Sequence, residues 1–149
     1  MLDRKKPLDG QEGQKKMKAK PEMIQAKDVM RRNVATIDGM ATVREAIAKM
    51  RSENVTSLIV NKRDTSDAWG IVTVTDLVRK IIAPGRSPDD ANVYEIMTKP
   101  VCTVPPDMDI RYVARFLYRV GVRRVPVEAQ GELLGMLSLS DLVLRTGVL

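Results

Sequence analysis

Read for its apolar and polar positions, the chain spells one pattern twice. Residues 28–60, DVMRRNVATIDGMATVREAIAKMRSENVTSLIV, align with residues 95–127, EIMTKPVCTVPPDMDIRYVARFLYRVGVRRVPV, at an offset of 67. Met30 falls on Met97, Val34 on Val101, Thr36 on Thr103, Val43 on Ile110, Ala46 on Val113 and Val60 on Val127. The following connection is two residues longer in the first copy, so Gly70 falls on Gly135 at an offset of 65. Self-similarity at such a period marks a duplicated supersecondary unit.

Within each copy the period of the apolar positions changes along the chain. VATI and VCTV are brief extended stretches. Val43, Ala46, Ile47 and Met50 then recur at helical spacing, as do Ile110, Val113, Ala114 and Leu117. Thr42 and Glu45 have the spacing of a capping box, and Asp109 takes the cap position in the second copy. Gly121 suits the C-terminal end of the second helix. Two strands follow, VTSLIV and WGIVTV in copy one, VRRVPV and LLGMLSL in copy two, joined by polar turns. A last helix starts near Asp76 or Asp141, and the first of these stops before Pro84. The expected fold is therefore α/β with α+β character: β-α-β-β-α, twice. A unit of about 55 residues buries too little of its own surface to stand alone. Two small sheets packed about a pseudo-twofold axis would solve this. The expected boundaries are a basic tail over 1–25, repeats over 26–83 and 93–147, and a linker over 84–92.

Composition narrows the chemistry. The chain has no histidine and one cysteine, Cys102. That excludes an intrachain disulfide and a Cys/His zinc site, and it removes the usual general base near neutral pH. With no acid–base pair or activated nucleophile in view, neither an enzyme nor a metal site is expected. Cys102 reads as a small buried hydrophobe beside Val101, and Trp69 and Tyr94 as packing or interface residues. No apolar run approaches a bilayer span, and no apolar core follows the N-terminal charges as in a signal peptide. A cytoplasmic protein in a reducing setting is expected. Net charge is +6, and residues 1–28 hold half of that excess. The tail reads as a solvated segment without aromatic residues for base stacking.

The two copies close on GIVTVTDLV (70–78) and GMLSLSDLV (135–143). Each ends a strand on an acidic residue, Asp76 or Asp141, with Thr73 or Ser138 three residues earlier. Such an Asp has two readings. It can cap the helix that begins there. It can also accept hydrogen bonds from a ribose diol while the hydroxyl and helix-start NH groups face sugar or phosphate.

This repeat resembles the cystathionine-β-synthase (CBS) domain, and the pair resembles a Bateman module. DVM and EIM, TSLIV and RRVPV, and the two Gly-x-x-Thr/Ser-x-x-Asp endings carry the resemblance, over residues 26–147. It implies a regulatory module that binds an adenosine-containing ligand such as AMP, ADP, ATP or S-adenosylmethionine, with no further cofactor. By resemblance, Thr73 and Asp76, and Ser138 and Asp141, hold the ribose. Each Asp faces the middle-strand start of the other repeat, so Asp76 is expected beside Arg123 and Arg124, and Asp141 beside Thr56 and Ser57. Arginine matches phosphate geometry. The Asp76 cleft is therefore the expected phosphate site, unless Arg123 and Arg124 are only a surface pair. Thr36–Ile37 and Thr103–Val104 are expected to run beside the adenine. The resemblance also implies a homodimer of modules and a protein target acting in trans. An alternative is an adaptor for protein, or weakly for nucleic acid, with little nucleotide affinity. The +6 charge, the tail and Arg31–Arg32 motivate it. No membrane role is expected.

Overall fold

A computed structural model describes residues 23–147. The elements follow the repeat. Copy one has α1 (Ala26–Val29), β1 (Thr36–Ile37), α2 (Val43–Glu53), β2 (Ser57–Val60), β3 (Gly70–Thr73) and α3 (Val74–Leu77). One wide turn of π geometry, Val78–Ile82, continues α3. Copy two has α4 (Val93–Ile96), α5 (Ile110–Val120), β4 (Arg124–Ala129), β5 (Glu132–Ser138) and α6 (Leu139–Leu144). β1 runs parallel to β2, and β2 pairs antiparallel with β3. β4 and β5 form the second sheet, in which the counterpart of β1 shrinks to a single parallel bridge, Val104 to Val127. The architecture is the expected tandem β-α-β-β-α repeat about a pseudo-twofold axis.

Local chemistry sets the helix ends. Glu45 NH donates to Thr42 Oγ1 (3.1 Å) and Thr42 NH to Glu45 Oε1 (2.8 Å), the capping box read from the sequence. Such a cap is worth about 1 kcal/mol. Asn54 and Gly121 end α2 and α5 in the left-handed region, at φ 55° and 81°. Of the two readings of Asp76 and Asp141, the helix-cap reading is corrected in its position. The caps are Thr73 and Ser138, and each Asp is the third helical residue of a capping box. The same Thr/Ser-x-x-acid spacing as Thr42–Glu45 carried that signal.

The two cores exchange their opening segments. In one, Leu58, Val60 and Val72 of the first sheet pack with Val43, Ala46 and Met50 of α2, and with Val93 and Ile96 of α4 from the second copy. In the other, Val125, Val127 and Leu137 pack with Ile110, Val113 and Leu117 of α5, and with Ala26, Val29 and Met30 from the first copy. Backbone hydrogen bonds fix the exchange. Ala26 NH donates to Met108 O (2.8 Å), Ile110 NH to Ile24 O (2.9 Å), Val93 NH to Ala41 O (2.9 Å) and Val43 NH to Ala91 O (2.9 Å). Ile24 and Gln25, read as the end of the tail, thus belong to the fold; the rest of that tail up to residue 22 lies outside the described residues. The sequence repeat and the packed half are consequently different sets of residues. Each half needs the other copy's first turn to complete its core. Cys102 is exposed rather than buried, and Val104 is the buried residue of its segment.

Candidate functional site

The exchange carries Arg31 across the molecule. Arg31 NH donates to Met136 O and Met136 NH to Arg31 O, both at 2.8 Å, which lays the end of the first segment beside β5. Gly135 permits this approach. A Cβ there would stand 2.7 Å from Arg31 O and 2.7 Å from Met30 Sδ. At the equivalent Gly70 the nearest atoms would be 3.2 Å away.

Asp141 lies next to that contact and is 2% exposed. Its Oδ2 accepts from Ser138 NH (3.0 Å), the return half of the capping box. Its Oδ1 accepts from Arg31 Nε (3.0 Å). A buried carboxylate needs such partners, since leaving it unpaired costs far more than the pair gains. Arg31 itself has a side chain 65% exposed, so this ion pair adds no more than about 1 kcal/mol to stability.

A cleft of about 320 Å³ opens in front of this pair. Asn33, Val34, Ala35 and Val55 line one side, Thr56 and Ser57 the start of β2, and Arg124, Met136 and Ser138 the opposite sheet. Arg124 Nη1 donates to Thr56 Oγ1 (2.8 Å) and Ser57 Oγ (3.3 Å), bridging the two copies. Burial, and then the charge of Arg123, lowers the Arg124 pKa, while Asp141 opposes the shift. Arg124 is therefore a partly desolvated cation that gains from an anion in the cleft.

Asp141 thus shares its cleft with Thr56 and Ser57, and Arg124 lines that same cleft. Arg123 is exposed and serves through its carbonyl, which accepts Leu139 NH at 2.9 Å. Arg123 precedes β4, and its charge still acts on Arg124. Asp76 is 4% exposed. Its Oδ2 accepts from Thr73 NH (2.9 Å) and Thr73 Oγ1 (3.1 Å). Its Oδ1 faces Arg79 (3.6 Å) and Lys80 (3.9 Å) from its own helical segment. Ile37 and Val104 send their side chains into the two cores, while Thr36 and Thr103 are half-buried beside them. The helix-start NH groups of Asp76 and Asp141 are spent on Thr73 Oγ1 and Ser138 Oγ. The NH groups of Val74 and Leu139 are spent on carbonyls of Thr56 and Arg123.

Sequence reasoning missed Arg31 as a cleft residue. Its counterpart in the other copy is Thr98, and this difference at one repeat position was the available signal. A larger cavity of about 670 Å³ lies at the far end of β1 and β2, with Asp38, Lys62, Tyr94 and Lys99 in its lining. Its cations are already engaged. Lys99 Nζ is 2.6 Å from Asp67, and Lys62 Nζ donates to Gly131 O and stands over the Trp69 ring. Among the described residues no group of three or more His, Cys, Asp or Glu side chains could hold a metal, and no helix is long and apolar enough to cross a membrane.

A family model described as the CBS domain matches residues 26–83 and 93–145. The chain is 36% identical over 118 residues to an uncharacterized protein of Methanopyrus kandleri, covering 78% of this chain and 59% of that one. It is 32% identical over 126 residues to the mitochondrial CBS domain-containing protein CBSX3 of Arabidopsis thaliana, covering 78% and 61%. The chain spans about three fifths of the length of these two relatives. Among solved structures, it is similar to a hexameric CBS-CP12 protein from bloom-forming cyanobacteria, with 42% identity and a TM-score of 0.81, covering 84% of this chain and 69% of that one. That hexamer overturns the homodimer expected above, which rested on the general habit of the family rather than on any residue of this chain.

Proposed function

The chain belongs to the CBS-domain family, as a tandem regulatory module, and on that premise we propose that its Asp141 cleft binds a phosphorylated adenosine ligand, AMP, ADP or ATP. One observation carries the reading. A buried carboxylate presents a single oxygen to a cleft that also holds two guanidinium groups, Arg31 and Arg124. In this reading Asp141 Oδ1 accepts the ribose hydroxyls. Val34, Ala35 and Met136 cover the base, and the two arginines take phosphate as charge-assisted, planar donors. S-adenosylmethionine brings a sulfonium cation to the same arginines and fits less well.

Regulation follows from the position of the cleft between the two copies. Arg124 already bridges them through Thr56 and Ser57, so a ligand that draws on Arg124 shifts how the halves meet. A partner in trans that prefers one arrangement would be coupled to the ligand by the same free energy in both directions. The likeness to a hexameric relative supports assembly beyond two copies. The exposed Val74, Val78 and Ile82, and the equivalent Leu139 and Val143, supply apolar surface for it. Sedimentation equilibrium reads this directly, and a monomer at tens of micromolar would remove it.

Calorimetric titration of the full chain with AMP, ADP, ATP, S-adenosylmethionine and NAD tests the ligand. The proposal expects the adenine nucleotides to bind and S-adenosylmethionine to bind more weakly. Silence of all five at millimolar concentration would end it.

A further inference from the structure

Arg31 occupies the one carboxylate oxygen that a ribose would need. Oδ2 of Asp141 is held by Ser138 NH, and Arg31 Nε sits on Oδ1 at 3.0 Å. The backbone of Arg31 cannot withdraw, because two hydrogen bonds pin it to Met136. Its side chain can, being 65% exposed. A place for it to go adjoins the cleft. A groove of about 610 Å³ shares Arg31, Asn33 and Val55 with the cleft and adds Lys27, Arg32 and Arg145. The one carboxylate in its lining, Asp28, is engaged by Gln25 NH at 2.9 Å. From Asp141 outward the lining thus passes from a buried anion to a row of cations.

Resting on the adenosine reading of this cleft, we propose that Arg31 is its specificity-determining residue: it bars Asp141 to uncharged nucleosides and yields it to ligands whose phosphates draw the guanidinium into the adjoining groove. An uncharged nucleoside competes with Arg31 for Oδ1 and offers the displaced guanidinium nothing. A phosphorylated ligand replaces the lost carboxylate with a partner of equal geometry and higher charge, so the exchange costs little. Discrimination built from a penalty on the wrong ligand is as effective as one built from contacts to the right ligand. A longer phosphate chain also reaches Arg32, Lys27 and Arg145. The order of affinity is then ATP, AMP, adenosine. In the second copy Thr98 replaces Arg31, and the Oδ1 of Asp76 faces Arg79 and Lys80 of its own segment instead.

The test is titration of adenosine, AMP and ATP into the full chain, in wild type, Arg31→Ala, Arg31→Lys and Arg32→Ala. Arg31→Ala is expected to bind adenosine roughly three- to tenfold more tightly than wild type and AMP several-fold more weakly. Arg31→Lys keeps the charge and stays near the wild-type ratio of adenosine to AMP affinity. Arg32→Ala weakens ATP and leaves adenosine unchanged. The ratio is read within one protein, so a loss of folded fraction does not move it. If Arg31→Ala leaves adenosine binding unchanged or weakens it together with AMP, Arg31 is a structural contact and the proposal is overturned, while the adenosine reading stands. If no protein binds any of the three, both fall.

Discussion

Asp141 and Asp76 occupy one position of a duplicated unit and are equally buried, yet they face different surroundings. Each spends Oδ2 on its own capping box. The remaining oxygen of Asp76 looks at Arg79 and Lys80, three and four residues along the same chain segment. That of Asp141 looks at Arg31, 110 residues away, across a cleft that also holds Arg124. The difference comes from few repeat positions: Arg31 against Thr98, Arg124 against Ser57, and Arg79 against Leu144. The duplicated scaffold sets where the carboxylates sit. The charges around them, which the scaffold does not need, set what each carboxylate can do.

The largest expected effect short of removing the carboxylates concerns the chain approach that brings Arg31 to its place. Gly135→Ala drives a Cβ against Arg31 O and Met30, backbone and core together, and should cost about 1–3 kcal/mol in denaturant unfolding. Gly70→Ala meets its neighbours only at 3.2 Å and beyond and should cost less than half as much. Equal costs would mean that the two approaches do not differ in tightness. Next in size is Arg124→Ala, which should weaken AMP by about fivefold, the worth of one partly desolvated charge-assisted contact. Ser57→Ala at the equivalent position should change AMP affinity by less than about twofold, since Ser57 carries no charge. A larger loss from Ser57 than from Arg124 would move the anion site away from the arginines.

The smallest effect separates the halves by acid. Asp109 caps α5 and is 5% exposed. Hydrogen bonds from the Arg111 side chain and then its backbone NH hold the Asp109 carboxyl below its ordinary value of 3.8. A depressed folded pKa contributes stability that is fully present above the unfolded value and is lost as pH falls through the folded one. Urea midpoints measured from about pH 5 down to about pH 3 should therefore fall, and Asp109→Asn should flatten that fall. An unchanged slope in the variant would remove Asp109 from the acid response.

Much of this was legible in the sequence. The offsets of 67 and 65 carried the duplicated fold, and Thr42–Glu45 and Gly121 gave the helix ends. Three things were not. DVM and EIM have the same short apolar pattern, and nothing local says which copy's core receives them; only the long-range hydrogen bonds decide. That exchange hid Arg31. The doublet Arg123–Arg124 looked like a unit because its members are adjacent, whereas only Arg124 donates to Thr56 and Ser57 and lines the cleft, and Arg123 is exposed. The strand-to-helix junction put Asp76 and Asp141 near a helix start without saying which residue caps it, and the hydrogen bonds assign the cap to the hydroxyl three residues earlier.

The central claim is that Asp141, and not its twin, anchors the ligand. The direct measurement is a paired titration of AMP into Asp141→Ala and Asp76→Ala. Both substitutions remove the returning half of a capping box, and the titration reads affinity rather than stability, so the difference reports the site. The account predicts that Asp141→Ala weakens AMP by about 10- to 100-fold, and that Asp76→Ala stays within about twofold of wild type. The reverse order, or equal losses in the two variants, would contradict it.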